Sequence, residues 1–340
     1  MSKFNKVYLQ NVLSTWGHQL SFPAAELTNT IQNECHYNAW FTPGNVANAV
    51  KADAQMLNAE DISKWLDHYN FKSASPKRVG LILAGNIPLV GFHDVLCVLV
   101  SGNYALIKAS SQDARLIKQV LDLLCAIEPA FSEQFSFVDK LQDFDAVIAT
   151  GSNNTSRYFE YYFGKVPHII RKNRNSVAVL TGDESNELLY NLGRDIFDYF
   201  GLGCRNVSKL FVPVGYDFTR FFEAIEPYHD IIHHHKYHNN YDYNKSIYLV
   251  NRDPHLDNGF LLLKEDQGMS SPLAVLFYEY YDDINALQEI LAGQKDNIQC
   301  IVTMLTLPPG NCSVAPGQSQ HPKLWDYADG VDTMDFLTKL

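Results

Sequence analysis

Residues 79–84, Val-Gly-Leu-Ile-Leu-Ala, form a continuous apolar run that stops at Gly85-Asn86, and this stretch decides the expected fold. A second apolar run, 104–107, stops at Lys108, and a third, 145–149, stops at Thr150. A helical repeat follows the second run, with apolar residues from Leu116 to Ile127. Apolar strands that alternate with helices predict a parallel sheet covered on both faces.

Ligands of such sheets bind beyond the carboxyl ends of the strands. The candidate binding loops are therefore Gly85–Gly91, Lys108–Ser111 and Thr150–Asn153. They contain glycine, asparagine, serine and lysine, which supply turns, amides, hydroxyls and a positive charge.

A second alternating series begins near Asn175 and predicts a second α/β domain. Its candidate strands are 177–180, 208–212, 246–250, 273–278 and 299–304, and its candidate helices are 184–199, 217–226 and 284–292.

The first 75 residues have helical periodicity, with Leu9, Leu13, Trp16 and Leu20 on one face. Pro43 and Asn58 are typical of helix starts. Residues 72–77, KSASPK, read as a linker. We therefore expect a helical region over 1–75, a nucleotide-binding domain over 76–174, a domain with a reactive cysteine over 175–307, and a tail over 308–340.

Composition excludes several classes of protein. The 340 residues are 46% hydrophobic and 19% charged, which is typical of a globular chain. The net charge of −11 argues against nucleic acid as the main partner. The longest apolar run of 95–100 is too short to span a membrane, and the start resembles no secretory signal. Six cysteines without a CxxC pair favour reduced thiols in the cytoplasm.

Cys204 is the candidate nucleophile. It lies in Gly201-Leu202-Gly203-Cys204, just before a predicted strand. Backbone N–H groups in such a turn can lower the pKa of a thiol and bind an oxyanion. The alternative for a lone cysteine is a small buried apolar residue.

Each of the other candidates has a structural alternative. Asn86 is an oxyanion donor or a turn former, and Lys108 is a phosphate or ribose ligand or a solvated strand end. Gly151-Ser152 is an anion-binding turn or a helix cap. The histidines at 233–235 and 238 have no spacing for a metal site, and we predict no metal. The aromatic residues from Tyr158 to Phe163 favour a helix packed on the sheet.

In their order along the chain these motifs resemble the aldehyde dehydrogenase superfamily, and within it the acyl-CoA reductases of the LuxC type, from about Val79 onward. The ending GQSQHPKLWDYADGVDTMDFL resembles that branch in particular. The resemblance implies two α/β domains with parallel-rich sheets behind a helical N-terminal region, and a tail that returns to the cofactor domain. Superfamily members often dimerise, so a homodimer is compatible with it, although no residue of this chain points to one.

The resemblance also implies roles for individual residues. Cys204 and Asn86 match the catalytic residues, and the cofactor-binding positions match Lys108, Gly151-Ser152 and, in the element EDQG, Glu265. The residues around Met269 depart from the family pattern, which weakens the match at Glu265.

Two departures bear on the chemistry. Aldehyde-oxidising relatives carry a glutamate that activates water, whereas residues 168–174, HIIRKNR, contain no carboxylate. A thioester reductase has no use for that base, because its acyl intermediate must escape hydrolysis. NAD-preferring relatives often have an acidic residue where this chain has Ser111, so NADPH is the expected cofactor.

The resulting hypothesis is NADPH-dependent reduction of an acyl-CoA or acyl-carrier thioester to a fatty aldehyde through an acyl-cysteine on Cys204. Asn86 and the Cys204 backbone N–H would stabilise the oxyanion, and the basic residues Arg171, Lys172 and Arg174 either hold phosphates or form a solvated face. The alternatives are another acylating aldehyde dehydrogenase, an acyl-phosphate reductase, or a non-catalytic subunit that binds nucleotide or acyl chains. The acyl chain length, the carrier and the pathway stay open.

Overall fold

The computed structural model describes residues 5–71, 75–307 and 312–340. It divides into two compact units, one that runs to Asn173 and also includes His321–Leu340, and one that spans Arg174–Gln320. Part of the predicted linker, 72–74, and the first residues of the predicted tail, 308–311, lie outside the described residues.

The α-helices are α1 (Lys6–Ser21), α2 (Ala25–Asn33), α3 (Pro43–Met56), α4 (Ala59–Asp67), α5 (Phe92–Val100), α6 (Ala114–Ile127), α7 (Asn153–Phe163), α8 (Asn186–Phe197), α9 (Phe218–Ile225), α10 (His235–Asn251), α11 (Ile284–Gly293) and α12 (Thr333–Thr338). Short 3-10 helices span Glu34–His36, Pro129–Glu133, Asp198–Gly201, Glu226–His233 and Ala328–Gly330. Within the described ranges, no helix is both long enough and apolar enough to cross a bilayer.

The strands are β1 (Arg78–Ile82), β2 (Tyr104–Lys108), β3 (Phe135–Phe137), β4 (Ala146–Thr150), β5 (His168–Arg171), β6 (Asn175–Val179), β7 (Val207–Pro213), β8 (Leu256–Asp257), β9 (Leu262–Glu265), β10 (Val275–Tyr281), β11 (Ile298–Val302) and β12 (Ser313–Val314).

The helices predicted near the N-terminus are confirmed. In α1 the side chains of Leu9, Leu13, Trp16 and Leu20 are buried on one face. Helix α3 begins at Pro43, and Asn58 accepts a hydrogen bond from the backbone N–H of Asp61 at the start of α4. The Asn58 cap satisfies an N–H group that has no partner within the helix, and Pro43 has no N–H that would need one.

The first unit contains a five-stranded sheet in the order β3-β2-β1-β4-β5, with every pair parallel. The chain moves from β1 outward to β3, then returns to the other side of β1 for β4. The carboxyl ends of β1 and β4 therefore flank the point where the strand order reverses, which is where α/β sheets bind ligands. The loops singled out from the sequence follow β1, β2 and β4.

Residues 321–340 pack within the first unit. The indole N–H of Trp65 donates to the Tyr327 hydroxyl at 2.6 Å, and the side-chain amide of Asn103 donates to the Leu337 carbonyl at 3.2 Å. Leu324, Met334 and Leu337 are buried in the same core as α1 and α5.

The second unit contains a seven-stranded sheet in the order β12-β11-β6-β7-β10-β9-β8, parallel except for β8 against β9. Alternate residues of its central strands enter two cores. Leu210 and Val212 face the core that includes α8 and α9, whereas Phe211 faces the core that includes α11.

One predicted strand is wrong. Residues 246–250, SIYLV, end helix α10, whose buried residues are Tyr237, Tyr241, Asn244 and Tyr248. Their spacing is helical, and it begins well before the short apolar run that suggested a strand. Strand β9, which the sequence analysis did not predict, pairs with β10 instead.

Arg171 has neither of the roles considered for it. It is buried, and its guanidinium donates to both carboxylate oxygens of Asp94, at 2.6 and 3.2 Å, and to the Thr333 hydroxyl. It therefore joins β5 to α5 and α12. Lys172, its neighbour, forms an exposed ion pair with Glu160.

Replacement of Arg171 by Met should lower the free energy of unfolding by about 3 kcal/mol, because Asp94 would stay buried without its partner. The matched control is Lys172→Met, which breaks an exposed pair and should change stability by less than about 1 kcal/mol. Urea unfolding measures both. Equal effects of the two substitutions would contradict the assignment.

Candidate active site

The loop after β1 packs closely against the loop after β2. A Cβ on Gly85 would lie 2.4 Å from the Ser110 hydroxyl oxygen, so no larger residue fits without movement. Asn86 follows this glycine, and its side chain is exposed. The fit explains why glycine precedes the candidate amide.

A buried carboxylate that the sequence analysis missed holds this loop. Asp113, at the start of α6, accepts a hydrogen bond from the backbone N–H of Leu89 at 3.0 Å, and Leu89 has a φ of +57°. Burial raises the pKa of Asp113, and burial together with the charge of Asp113 raises that of Asp53. An aspartate before a helix looks like an ordinary cap, so the sequence carried no signal of this contact.

Lys108 is the last residue of β2, where the turn that carries Ser111 begins, and both residues are exposed. The Lys108 ammonium donates to the backbone carbonyl of Asp139 at 2.9 Å. A positive charge and a hydroxyl are thus presented on one turn.

Gly151 and Ser152 connect β4 to α7 as a helix cap. The Ser152 hydroxyl accepts from the backbone N–H of Thr155, and a Cβ on Gly151 would lie 2.8 Å from the Phe159 ring. In α7 the prediction of a helix is confirmed, but Tyr158, Tyr161 and Tyr162 are exposed rather than packed on the sheet.

Cys204 lies on a constrained turn between α8 and β7, and it is partly exposed. Tyr199, Phe200 and Gly201 have consecutive positive φ angles of 55°, 58° and 78°. The first two carry side chains, for which this conformation is costly. Both rings are buried, and the Phe200 ring packs against that of His234, with ring centroids 4.2 Å apart.

Asn206 ties this turn together, and the sequence analysis missed it. Its buried side-chain amide donates to the carbonyls of Asp195 and Asp198 at 3.1 and 2.7 Å, and its side-chain oxygen accepts from the Gly203 N–H at 2.8 Å. The Gly203 N–H is therefore engaged within the turn and does not serve as an oxyanion donor. The Cys204 N–H remains the predicted backbone donor to the oxyanion.

The Cys204 carbonyl accepts a hydrogen bond from the Ser176 hydroxyl on β6, at 2.9 Å. Ser176 is completely buried. A serine in a strand carries no sign of such a bond in the sequence.

Glu265 ends β9, and its side chain is exposed. The loop after it is ordered by Asp266, which accepts from the Gly268 N–H at 2.8 Å, and by Ser208, whose hydroxyl donates to the Met269 carbonyl at 2.6 Å. Met269, where the sequence departs from the family pattern, packs against the core on the α11 side.

In the histidine cluster, His233 and His238 are exposed and pair with the carboxylates of Asp230 and Asp242, whereas His234 is partly buried against Phe200. No group of three or more potential metal ligands occurs in the part of the chain that the structure describes.

The sequence was compared with protein families and with curated proteins. The profile of the acyl-CoA reductase (LuxC) family matches residues 15–214. No curated protein matches the chain significantly.

Solved structures resemble it at low sequence identity. Aldehyde dehydrogenase 21 of Physcomitrella patens, in complex with succinate, has a TM-score of 0.67 and 12% identity, covering 99% of this chain and 85% of its own. An NAD-dependent aldehyde dehydrogenase of Sinorhizobium meliloti has a TM-score of 0.66 and 11% identity, covering 92% and 75%. An NADP-dependent enzyme of E. coli has a TM-score of 0.64 and 12% identity, covering 89% and 74%.

The fold is that of the aldehyde dehydrogenases, as the resemblance implied. Because the family profile covers more than half of the residues, the chain belongs to the LuxC family of acyl-CoA reductases. It is an oxidoreductase that acts on aldehyde or acyl groups.

Asp198, in the turn before Cys204, gives a pH-dependent prediction. Burial raises its pKa to about 6. Between about pH 4 and 6 the folded state keeps a proton that the unfolded state has released, so stability falls as the pH rises through this window. Asp198→Asn should remove this fall, a difference of roughly 2–3 kcal/mol in unfolding free energy between pH 4 and 7.

The control is Asp217→Asn, since hydrogen bonds from Thr219 lower the pKa of Asp217. This variant should lose stability, relative to the wild type, above pH 4 rather than below it. Urea unfolding across the pH range measures both, and the same sign for both variants would contradict the prediction.

Proposed function

We propose that the chain reduces a fatty acyl-CoA to the aldehyde with NADPH, through an acyl-cysteine on Cys204. The observation that carries the proposal is the turn that holds Cys204: this residue is partly exposed, and the buried Asn206 fixes the backbone just before it, at the N–H and at the carbonyl of Gly203. A structural cysteine needs no such support. A nucleophile does, because misplacement of a reacting atom is costly.

The lack of a hydrolytic base supports reduction rather than oxidation. Residues 168–174 contain no carboxylate, and Arg171 in that segment is committed to Asp94. An acyl-cysteine in a site without a base to activate water persists long enough to be reduced.

The residues after β1, β2 and β4 suit a dinucleotide. Lys108 and Ser111 offer a positive charge and a hydroxyl on one exposed turn, where a 2′-phosphate meets attraction and a hydrogen bond. Gly151-Ser152 and Glu265 would complete the contacts, Glu265 toward the nicotinamide ribose. When bound, the reduced nicotinamide supplies the two electrons that the reduction needs.

The chain's own residues perform the remaining steps. The Cys204 thiolate forms a bond to the thioester carbonyl carbon, and the Asn86 amide and the Cys204 N–H would stabilise the oxyanion. The bond from that carbon to the carrier sulfur breaks, and the carrier leaves as a thiol after taking a proton. After reduction, the bond to the Cys204 sulfur breaks and releases the aldehyde.

The proposed reaction belongs in the cytoplasm, where thiols are kept reduced. The mechanism needs the Cys204 thiol in its reduced form.

Cys204→Ala should abolish aldehyde formation from acyl-CoA, by at least about 10³-fold, because no covalent intermediate can form. Binding of NADPH, followed by its fluorescence, should persist. Cys125→Ala is the matched control, a partly exposed thiol of the first unit that should keep full activity. Turnover by the Cys204 variant would remove it as the nucleophile, and faster reduction of acyl phosphates than of acyl-CoAs would favour the rival reductase.

Ser111→Asp should weaken the binding of NADPH relative to NADH by at least about tenfold, because a carboxylate repels the 2′-phosphate. Ser111→Asn, neutral and of the same size, should leave the ratio nearly unchanged. Fluorescence titration with each dinucleotide measures it. An unchanged ratio in the aspartate variant would place the 2′-phosphate elsewhere.

A further inference from the structure

Ser176 lies where strand β6 changes register with both of its neighbours. Against β7, Ser176 pairs with Val207 but Val177 pairs with Lys209, so Ser208 is skipped. Against β11, Asn175 pairs with Ile298 but Val177 pairs with Ile301, so one extra residue is again accommodated on the neighbour. Such irregularities redirect side chains and recur beside active sites.

The Ser176 hydroxyl fills the gap in the hydrogen bonding. It accepts from the displaced backbone N–H of Cys300 at 3.2 Å and donates to the Cys204 carbonyl at 2.9 Å. The side chain is completely buried, so its hydrogen bonds are made within the protein and not to bulk water.

The carbonyl of Cys204 can only accept, so the single hydroxyl proton of Ser176 goes to it. The Cys300 thiol lies 3.1 Å from the same serine oxygen, and burial raises the pKa of this thiol to about 12, so it keeps its proton and donates it to that oxygen. The serine oxygen thus accepts from the N–H and the S–H of Cys300, and a hydroxyl's full capacity of one donor and two acceptors is used.

The nucleophile's backbone is thus held at two points. The backbone N–H of Asn206 donates to the Gly203 carbonyl at 3.0 Å, in the peptide group before Cys204, and the Ser176 hydroxyl donates to the Cys204 carbonyl, in the peptide group after it. With both adjoining peptide groups fixed, the direction in which the Cys204 side chain leaves the backbone is fixed as well.

We infer that Ser176 is a positioning residue for the nucleophile, acting through the carbonyl of Cys204. The inference rests on the proposed function, in which Cys204 attacks the acyl carbon. Its effect is to hold the sulfur in the attacking orientation, and it takes no part in proton transfer or in contact with the substrate.

Thr303, the residue directly after β11, provides a matched control beside the same sheet. Its buried hydroxyl donates to the Val179 carbonyl at 3.0 Å and accepts from the Leu305 N–H at 3.1 Å. The pattern of one backbone acceptor and one backbone donor is that of Ser176, but neither partner belongs to the Cys204 turn.

The experiment compares Ser176→Ala, Ser176→Thr, Ser176→Cys and Thr303→Val in the full chain. Steady-state kinetics give kcat and KM for an acyl-CoA with NADPH. Carbamidomethylation by iodoacetamide, followed at each cysteine by peptide mass spectrometry, gives the reactivity of the Cys204 thiol without any turnover. Cys125 serves as the internal reference thiol.

Ser176→Ala should lower kcat about tenfold with little change in KM, because the sulfur is misdirected while substrate binding is retained. Alkylation of Cys204 should rise at least about twofold, because a loosened turn exposes the sulfur. Ser176→Thr, which keeps the hydroxyl, should restore most of kcat, and Thr303→Val should leave both quantities within a factor of about two.

Unchanged kcat in Ser176→Ala, or an equal loss in Thr303→Val, would overturn the inference. A joint fall of kcat and alkylation would also overturn it, since that pattern belongs to a group acting on the sulfur itself. If the alanine variant does not fold, Ser176→Cys decides, because cysteine keeps the shape of serine but is a weaker hydrogen-bond donor. Its kcat should be lower than that of the wild type and of Ser176→Thr, but measurable. If the wild type reduces no acyl-CoA, the proposed function fails, and the alkylation rates alone test the positioning.

Discussion

The turn between α8 and β7 depends on the hydrogen bonds of one buried amide. Two residues with side chains and one glycine adopt left-handed conformations in succession there, which the backbone of an L-amino acid resists. Asn206 offsets this cost by satisfying two carbonyls before the turn and one N–H within it. Without that amide, the buried carbonyls would lose their donors, and the turn would have little reason to keep its shape.

The end of α8 is joined to a second segment as well. Both carboxylate oxygens of the buried Asp195 accept backbone N–H groups, those of Gly317 and Ser319. The backbone carbonyl of the same residue accepts from Asn206. A single position of α8 thus fixes the segment around 317–319 and the turn that bears Cys204, so that a shift of the helix end would disturb both.

Much of the framework could be predicted from local patterns. The buried face of α1, the Pro43 and Asn58 starts, and the apolar runs of β1, β2 and β4 all depend on residues close in sequence. The prediction of a strand at 246–250 was wrong because a five-residue apolar run fits both a strand and a helix. The helical spacing of the buried residues along the whole of α10 decides between them. Arg171 was expected to bind phosphate or to belong to a solvated basic face, because no residue near it in sequence indicates its contact with Asp94.

The same reason limits what could be foreseen of the candidate site. Cys204, Asn86 and Lys108 belong to short motifs. Asn206 is close to Cys204 in sequence, but the contacts made by Asp113 and Ser176 join residues 24 and 28 positions apart. Asp113 meets Leu89 after β1 and β2 have paired, and Ser176 meets Cys204 after β6 and β7 have paired. The reacting residues of a site often belong to short sequence motifs, whereas the contacts that hold them in place depend on the fold.

The hydrogen bond from Trp65 to Tyr327 has a consequence for the synthesis of the chain. The first unit is discontinuous, since it needs residues 321–340 to complete its core, whereas the second unit is one uninterrupted segment. On the ribosome, the second unit can therefore acquire its whole sequence first. Translation starts with the first unit, but part of its apolar core stays uncovered until residues 321–340 have been made. Exposed apolar surface of this kind is what chaperones bind.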